Sequence, residues 1–330
     1  MKSKYSHNIA FILPYFGHLP NNFNLWLKSC EMNDEIDFLI FTDDNTEFHY
    51  PSNVKIFQMS FEELKNRIQA MFDFDVLIDR PWRLSLFKPA YGEVFQKELQ
   101  SYDYWGYCDA DLMWGDIRAF ITDDILDRYE RIGTKGHASI YKNTPEVNKR
   151  YKNIISNTAN YKDVFSGKAS YSFDENGMDE IYDSLKIPYF FEPNFAHLEK
   201  FEAGFYLKRL PKEKLYTNKY QVFLWEKGRL YRICLDHERI VKSEYMYIHF
   251  FCRPMRYFYG GSQCDRYIIY PDIVKPYSKE ITEDFVKKKG TQGKLKFLLK
   301  MIWFNRKKIT VNKILKNIIH MVIYKKKRKN

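Results

Sequence analysis

Tyr104-Trp105-Gly106-Tyr107-Cys108-Asp109-Ala110-Asp111-Leu112-Met113-Trp114-Gly115-Asp116 is an apolar, aromatic run that closes on two carboxylates one residue apart. The unbroken apolar part predicts a buried strand over 103–108. In an extended chain, residues two apart face the same side, with Cα atoms about 6.5–7 Å apart. Two carboxylates aimed into one cleft repel each other unless a cation lies between them. A Mg²⁺ or Mn²⁺ ion, held by one or two carboxylates and completed by nucleotide phosphates, fits that arrangement. A second pair, Asp73 and Asp75, sits in a less hydrophobic setting before Arg80-Pro81 and reads as a solvated turn.

Working outward, the first 120 residues alternate strand-like and helix-like segments. Strands are predicted at 8–14, 36–42 and 54–59. A helix is expected over 22–31, where Phe23, Trp26, Leu27 and Cys30 share a face. Ser60 and Glu63 form a capping box that starts another helix, running to Met71. A further helix is expected over 83–99. Alternating βα units imply a mostly parallel, doubly wound sheet, with ligands at the carboxyl ends of its strands. That rule places Tyr15, Asp43 and the acidic pair on one rim. From 133 to 275 the pattern loosens into short strands, polar loops and aromatic clusters, with a late strand over 244–251 that carries His249. This region is expected to extend the same domain and to supply a second substrate's pocket.

The net charge of +11 is unevenly distributed. Residues 285–330 carry 16 of the 53 Lys and Arg and none of the 42 Asp and Glu, which leaves the rest of the chain at −5. Val311, Ile314, Leu315, Ile318, Ile319 and Val322 fall on one helical face, and Trp303 and Phe304 stand near the end of an earlier apolar stretch. A basic amphipathic tail with aromatic anchors suits an anionic membrane surface. Each Lys or Arg near such a surface contributes on the order of 1 kcal/mol. Neither apolar run has the roughly 20 residues needed to cross a bilayer. The five scattered cysteines predict reduced thiols, as in a cytoplasmic protein, rather than a disulfide framework or a zinc site.

The acidic pair resembles the Asp-x-Asp motif of nucleotide-sugar glycosyltransferases with the type A fold. Pro14-Tyr15-Phe16-Gly17, Phe87-Lys88-Pro89-Ala90-Tyr91-Gly92, Gly136-His137 and Tyr247-Ile248-His249 narrow the likeness. Together they resemble an uncharacterised family of bacterial glycosyltransferase-like proteins associated with capsule and exopolysaccharide gene clusters. The resemblance covers about residues 8–275. It implies an α/β, type A glycosyltransferase-like fold, with a Rossmann-like, mostly parallel sheet flanked by helices and a C-terminal basic helical tail. The catalytic domain would span 1–281, with a donor-binding half to about 120 and an acceptor-side half over 121–281. The membrane-associating tail would span 282–330. Where the family often follows the late His with a Gln-Lys-Arg-like run, this chain has His249-Phe250-Phe251-Cys252-Arg253 and retains only Arg253.

The same resemblance implies roles. Asp109 and Asp111 would hold Mn²⁺ or Mg²⁺, with Asp109 also reaching the donor, and His249 would be the third ligand or a diphosphate contact. An imidazole suits Mn²⁺. Arg253 would meet the diphosphate, and Lys88 and Arg83 the diphosphate or the donor sugar, since guanidinium and ammonium groups pair with phosphate oxygens. Tyr15 and Phe16 would stack on the base, and Asp43 would accept from uracil or ribose. His137, Asp174 and Glu175 would lie on the acceptor side, where an inverting transferase needs a carboxylate base. The donor would be a UDP-sugar and the acceptor a lipid-linked or growing glycan. The protein would then sit peripherally on the inner face of the cell membrane. A nucleic-acid-binding or Mg²⁺-dependent nuclease protein is the competing reading, and the acidic balance of the body opposes it. An inactive glycan-binding scaffold on the same fold is another. A nucleotidyltransferase would show a Gly-rich basic loop after its first strand, unlike Phe16-Gly17-His18-Leu19-Pro20.

Overall fold

Strand β1 (Ile9–Tyr15) is buried along both of its faces, as a strand of a parallel sheet must be. Ile9, Phe11 and Leu13 enter one apolar cluster with Trp26, Phe38 and Trp114, while Ala10 and Ile12 enter another with Leu39, Phe87 and Trp105. The structure, a computed structural model, describes residues 4–155, 159–167, 171–198, 205, 220–251, 253, 255–290 and 299. β2 (Ile36–Thr42), β3 (Val54–Gln58) and β4 (Tyr104–Cys108) run parallel to β1. β5 (Leu112–Trp114) follows the acidic turn. β6 (Arg131–Lys135) and β7 (Ala138–Lys142) then close the main sheet antiparallel, in the order β3-β2-β1-β4-β7-β6. Strand order reverses between β1 and β4, so the crevice for a ligand lies beyond their carboxyl ends.

The chain then builds two more sheets. β8 (Phe195–His197) joins a small sheet, while β9 (Gln221–Glu226), β10 (Arg229–Asp236) and β11 (Arg239–Tyr245) start a six-stranded one. β12 (Tyr247–His249) returns to the small sheet between β5 and β8, antiparallel to the first and parallel to the second. β13 (Arg256–Tyr257), β14 (Arg266–Tyr270) and β15 (Ile273–Pro276) complete the larger sheet, ordered β11-β10-β9-β14-β15-β13. The expected single strand over 244–251 is therefore two strands in two sheets. The break falls at Met246, whose N–H donates to Asn194 at 2.7 Å and whose carbonyl accepts from the Gly115 N–H at 2.7 Å.

Helix α1 (Phe23–Glu31) buries Phe23, Trp26, Leu27 and Cys30 as the spacing requires. Helix α2 (Phe61–Gln69) starts on the Ser60/Glu63 capping box, with both reciprocal bonds formed. The helix expected over 83–99 differs. Pro81–Ala90 is a 3-10 segment, and only Tyr91–Val94 continues as α-helix. Pro89 has no N–H to return to residue 85, so the i−4 ladder is interrupted there. The last described helix, Glu283–Lys289, lies within the stretch assigned to the tail, yet Val286 packs with Val222 and Leu224 of the six-stranded sheet. The amphipathic segments after 290 lie outside the described residues, Leu299 excepted. Among the described residues, Cys30, Cys108, Cys234 and Cys264 are free thiols, and no helix is long and apolar enough to cross a membrane.

Candidate active site

The acidic turn joins β4 of the main sheet to β5 of the small one, so it stands where the two sheets meet. Its backbone is held on both sides. The Asp109 N–H donates to His137 at 3.1 Å, and the Asp111 carbonyl accepts from Phe250 N–H at 2.9 Å. Asn22, at the start of α1, donates to the Ala110 carbonyl at 2.9 Å. Both carboxylates keep solvent access, with side chains 34% and 26% exposed, so a ligand can reach them.

His249 closes the group. It is the last residue of β12, pairs with Leu112 just after the turn, and is buried. Its Nε2 lies 3.2 Å from Asp111 Oδ1 and 3.8 Å from Asp109 Oδ2. One ligand atom from each of Asp109, Asp111 and His249 can be chosen with all three within 4.8 Å of one another. Two carboxylate oxygens and one imidazole nitrogen form a donor set that suits Mn²⁺, or Mg²⁺ when phosphate oxygens complete it. The residues fit the cation that the Asp-x-Asp resemblance implies.

Lys88 is delivered by the 3-10 segment. Its Nζ lies 2.6 Å from Asp109 Oδ1 and donates to the Gly136 carbonyl at 2.6 Å. Burial opposes its charge, but the carboxylates of Asp109 and Asp174 outweigh that cost and raise its pKa. Asp174 is itself buried, on a turn of π-helix (Phe173–Gly177) where the sequence reads as a polar loop. Burial pushes its carboxyl up to about 6; Lys88 pulls it down, and Glu175 and Asp109 push it up. Glu175 accepts the Gly136 N–H at 2.9 Å. Lys88, Asp174, Glu175 and the Gly136 backbone therefore form one buried polar layer that meets the acidic turn at Asp109.

Gly136 is required by that layer. A Cβ there would lie 2.3 Å from Asp174 Oδ2 and 3.4 Å from Glu175 Oε1. Gly136→Ala is expected to cost about 1–3 kcal/mol through overpacking, read as a lowered melting temperature. An unchanged melting temperature would mean that the Asp174 carboxylate swings aside freely.

The remaining expected residues are placed as follows. His137 is buried beside His249, with ring centroids 4.4 Å apart, and its Nδ1 bonds the Tyr247 hydroxyl at 2.8 Å. Burial, then His249 and His197, hold its pKa well below the usual range, so the ring is neutral. Tyr15 is half-buried at the rim, whereas Phe16 is buried against Phe61, with ring centroids 5.6 Å apart. Asp43 is exposed and accepts the Gly17 N–H at 2.7 Å, bracing the loop after β1, where Gly17 has φ +88°. Arg83 is not brought to the acidic pair: its guanidinium donates to the carbonyls of Leu77 and Gly167. Arg253 is buried, with Nε donating to Pro271 at 2.7 Å. Asp73 and Asp75 are exposed, in line with a solvated turn.

His197 is a site residue that the sequence reading passed over. It pairs in register with His249, and their Nδ1 atoms are 2.9 Å apart. A signal was present: Phe195-Ala196-His197 and Tyr247-Ile248-His249 share an aromatic-x-His pattern. The aromatic members stack with centroids 5.3 Å apart and planes 9° from parallel. An apolar cleft lies against this stack, lined by Phe11, Ile132, Phe190, Phe195 and Tyr247 among others, with neither aspartate in its wall.

Comparison with known proteins adds the following. A search of curated proteins finds no match. Among solved structures, mouse xyloside xylosyltransferase 1 in its apo form is similar at 10% identity and a TM-score of 0.34, over 58% of this chain and 88% of that one. The galactosyltransferase LgtC, in complex with donor and acceptor sugar analogs, is similar at 13% identity and a TM-score of 0.32, over 58% of this chain and 75% of that one. Overlap this slight says nothing of substrates. Residues 11–278 match the family described as "Family of unknown function (DUF6625)", and the chain belongs to that family.

Proposed function

We propose that the protein is a cation-dependent glycosyltransferase that moves a sugar from a nucleoside diphosphate, with UDP the favoured carrier, to a hydroxyl of a lipid-linked or growing surface glycan. The observation that carries this reading is the convergence of Asp109, Asp111 and the His249 Nε2 at the carboxyl end of β4, beside the switch point of the sheet. Bound there, a divalent cation would neutralise charge developing on the departing diphosphate, worth several kcal/mol of transition-state stabilisation. Asp109 and Asp111 would orient that diphosphate. Lys88 holds Asp109 in place and adds positive charge on the same side. Tyr15, at the rim, would stack on the base, and Asp43 would keep the loop beneath it in position. Asp174, its carboxyl raised to about 6 by burial, would serve as an acceptor-side proton carrier.

The test is a panel of nucleotide sugars incubated with the full chain and Mn²⁺. The expected result is release of nucleoside diphosphate from one or a few donors, abolished by EDTA and restored by Mn²⁺. No donor turned over or bound, with or without cation, would remove the reading.

The basic tail would hold this site beside its lipid-linked acceptor at the inner membrane face. Because Val286 packs into the six-stranded sheet, truncation belongs after Gly290, whose N–H closes that helix on Val286. Removal of residues 291–330 is expected to release the protein from anionic vesicles in a sedimentation assay while nucleotide-sugar hydrolysis continues. Equal sedimentation of both forms would discard the membrane role.

A further inference from the structure

We propose that His197 is the positioning residue that sets the tautomer of His249 and so makes its Nε2 available to a divalent cation. The proposal rests on the cation reading above and deepens it. β8 and β12 are parallel, and His197 and His249 are register partners, so both side chains leave the small sheet on one face. Both rings are buried, at 3% and 4% exposure, so bulk water does not compete for the bond between them.

A neutral imidazole has one donor and one acceptor nitrogen. With the two Nδ1 atoms 2.9 Å apart, one carries the shared proton and the other offers a lone pair. The far side of His249 decides which. With no cation, a proton on Nε2 would face Asp111 Oδ1, 3.2 Å away, and leave Nδ1 to accept from a His197 Nδ1–H. To offer Nε2 to a cation, His249 must carry its proton on Nδ1. His197 must then accept at Nδ1 and carry its own proton on Nε2. One proton leaves His249 Nε2 for solvent past the partly exposed Asp111, the shared proton passes from His197 Nδ1 to His249 Nδ1, and one from solvent is taken up at His197 Nε2, so proton count and charge are unchanged. The bond between them survives in both states. The neighbours hold this geometry. The His137 ring lies 4.4 Å from His249, tied by Tyr247, and the Phe251 ring lies 4.7 Å from His197.

His137, His197 and His249 could also be read as an all-imidazole metal site. The spacing argues against it. Tetrahedral zinc with Zn–N near 2.05 Å sets nitrogens about 3.3 Å apart, whereas 2.9 Å is a hydrogen-bond length.

The experiment measures Mn²⁺ affinity of the full chain by electron paramagnetic resonance, and the protonated nitrogen of His249 by ¹⁵N NMR with and without diamagnetic Mg²⁺. In the wild type, Mg²⁺ is expected to move the His249 proton from Nε2 to Nδ1. His197→Phe keeps the bulk and removes the acceptor, so Mn²⁺ affinity should fall about 10- to 100-fold. His197→Gln, whose amide oxygen can accept from Nδ1–H, should recover most of that loss. Unchanged affinity in His197→Phe, or a His249 that keeps its Nε2–H with Mg²⁺ bound, overturns the role of His197 while the cation site stands. The wild-type NMR result decides the question even where the Phe variant fails to fold. Two Co²⁺ ions bound per chain would overturn the proposal by placing an ion among the imidazoles. No Mn²⁺ bound by the wild type would remove the cation reading itself, and this inference with it.

Discussion

Asp111→Asn is expected to lower sugar transfer by about a thousandfold or more, the kinetic equivalent of several kcal/mol of lost electrostatic stabilisation. The amide keeps the shape of the side chain and can still meet the His249 Nε2, now 3.2 Å from Oδ1, but it brings no charge to a cation. The Asp111 side chain is 26% exposed, and the backbone bond from Phe250 does not involve it, so the fold should survive. The checks are the initial rate with Mn²⁺ and the donor found in the nucleotide-sugar panel, Mn²⁺ affinity, and the melting temperature. Lost affinity and rate with an unchanged melting temperature is the expected pattern. Wild-type turnover would end the metal role of this residue.

Asp174→Asn should differ in stability: a gain at neutral pH together with a loss of activity. In the folded chain this carboxyl is raised from an ordinary value of 3.8 to about 6 by burial. Between those values the folded state holds the proton more tightly than the unfolded chain does. Wild-type stability therefore falls as pH rises from about 4 to 6, and the full cost persists above that window. A shift of this size is worth about 3 kcal/mol. An asparagine does not ionise and escapes the cost, while Lys88 keeps its pairing with Asp109 at 2.6 Å. The melting temperature of the variant relative to wild type is expected to climb by about 5 °C between pH 4 and pH 7. If Asp174 carries the acceptor proton, transfer should fall at least about 100-fold. The wild-type rate should also rise with pH through about 6. A melting difference that stays flat across that range would contradict the raised pKa. Unaltered transfer in the variant would leave Asp174 a structural acid.

The first half of the fold was largely legible because its signals are local. The strand over 36–42 and the Ser60 cap appear where the pattern puts them, since unbroken apolar runs and a reciprocal cap depend on neighbours in sequence. The segment from 81 to 94 was harder. Apolar spacing suggested one helix, but Pro89 interrupts the hydrogen-bond ladder and a 3-10 turn results, which is what delivers Lys88 to Asp109. The sequence offers Asp174 as an acceptor-side carboxylate but not its burial, which comes from packing against the β6–β7 turn at Gly136. Arg83 resembled a phosphate ligand in composition alone. Its role as an anchor for the Leu77 and Gly167 carbonyls is a matter of where two loops end.

By itself, the order of residues determined the parallel α/β core, the rim on which the acidic pair stands, and the concentration of positive charge after residue 285. These follow from hydrophobic period and from charges adjacent along the chain. Only the tertiary structure decided that β12 leaves one sheet for another at Met246, that His249 meets Asp109 and Asp111, and that His197 stands behind it. Those contacts join residues 52 to 140 positions apart, and no periodicity reaches across such a gap. What brings them together is the burial of Phe195, Tyr247 and Trp114 in one small sheet, and the polar groups are carried to the same place by the strands that hold those rings.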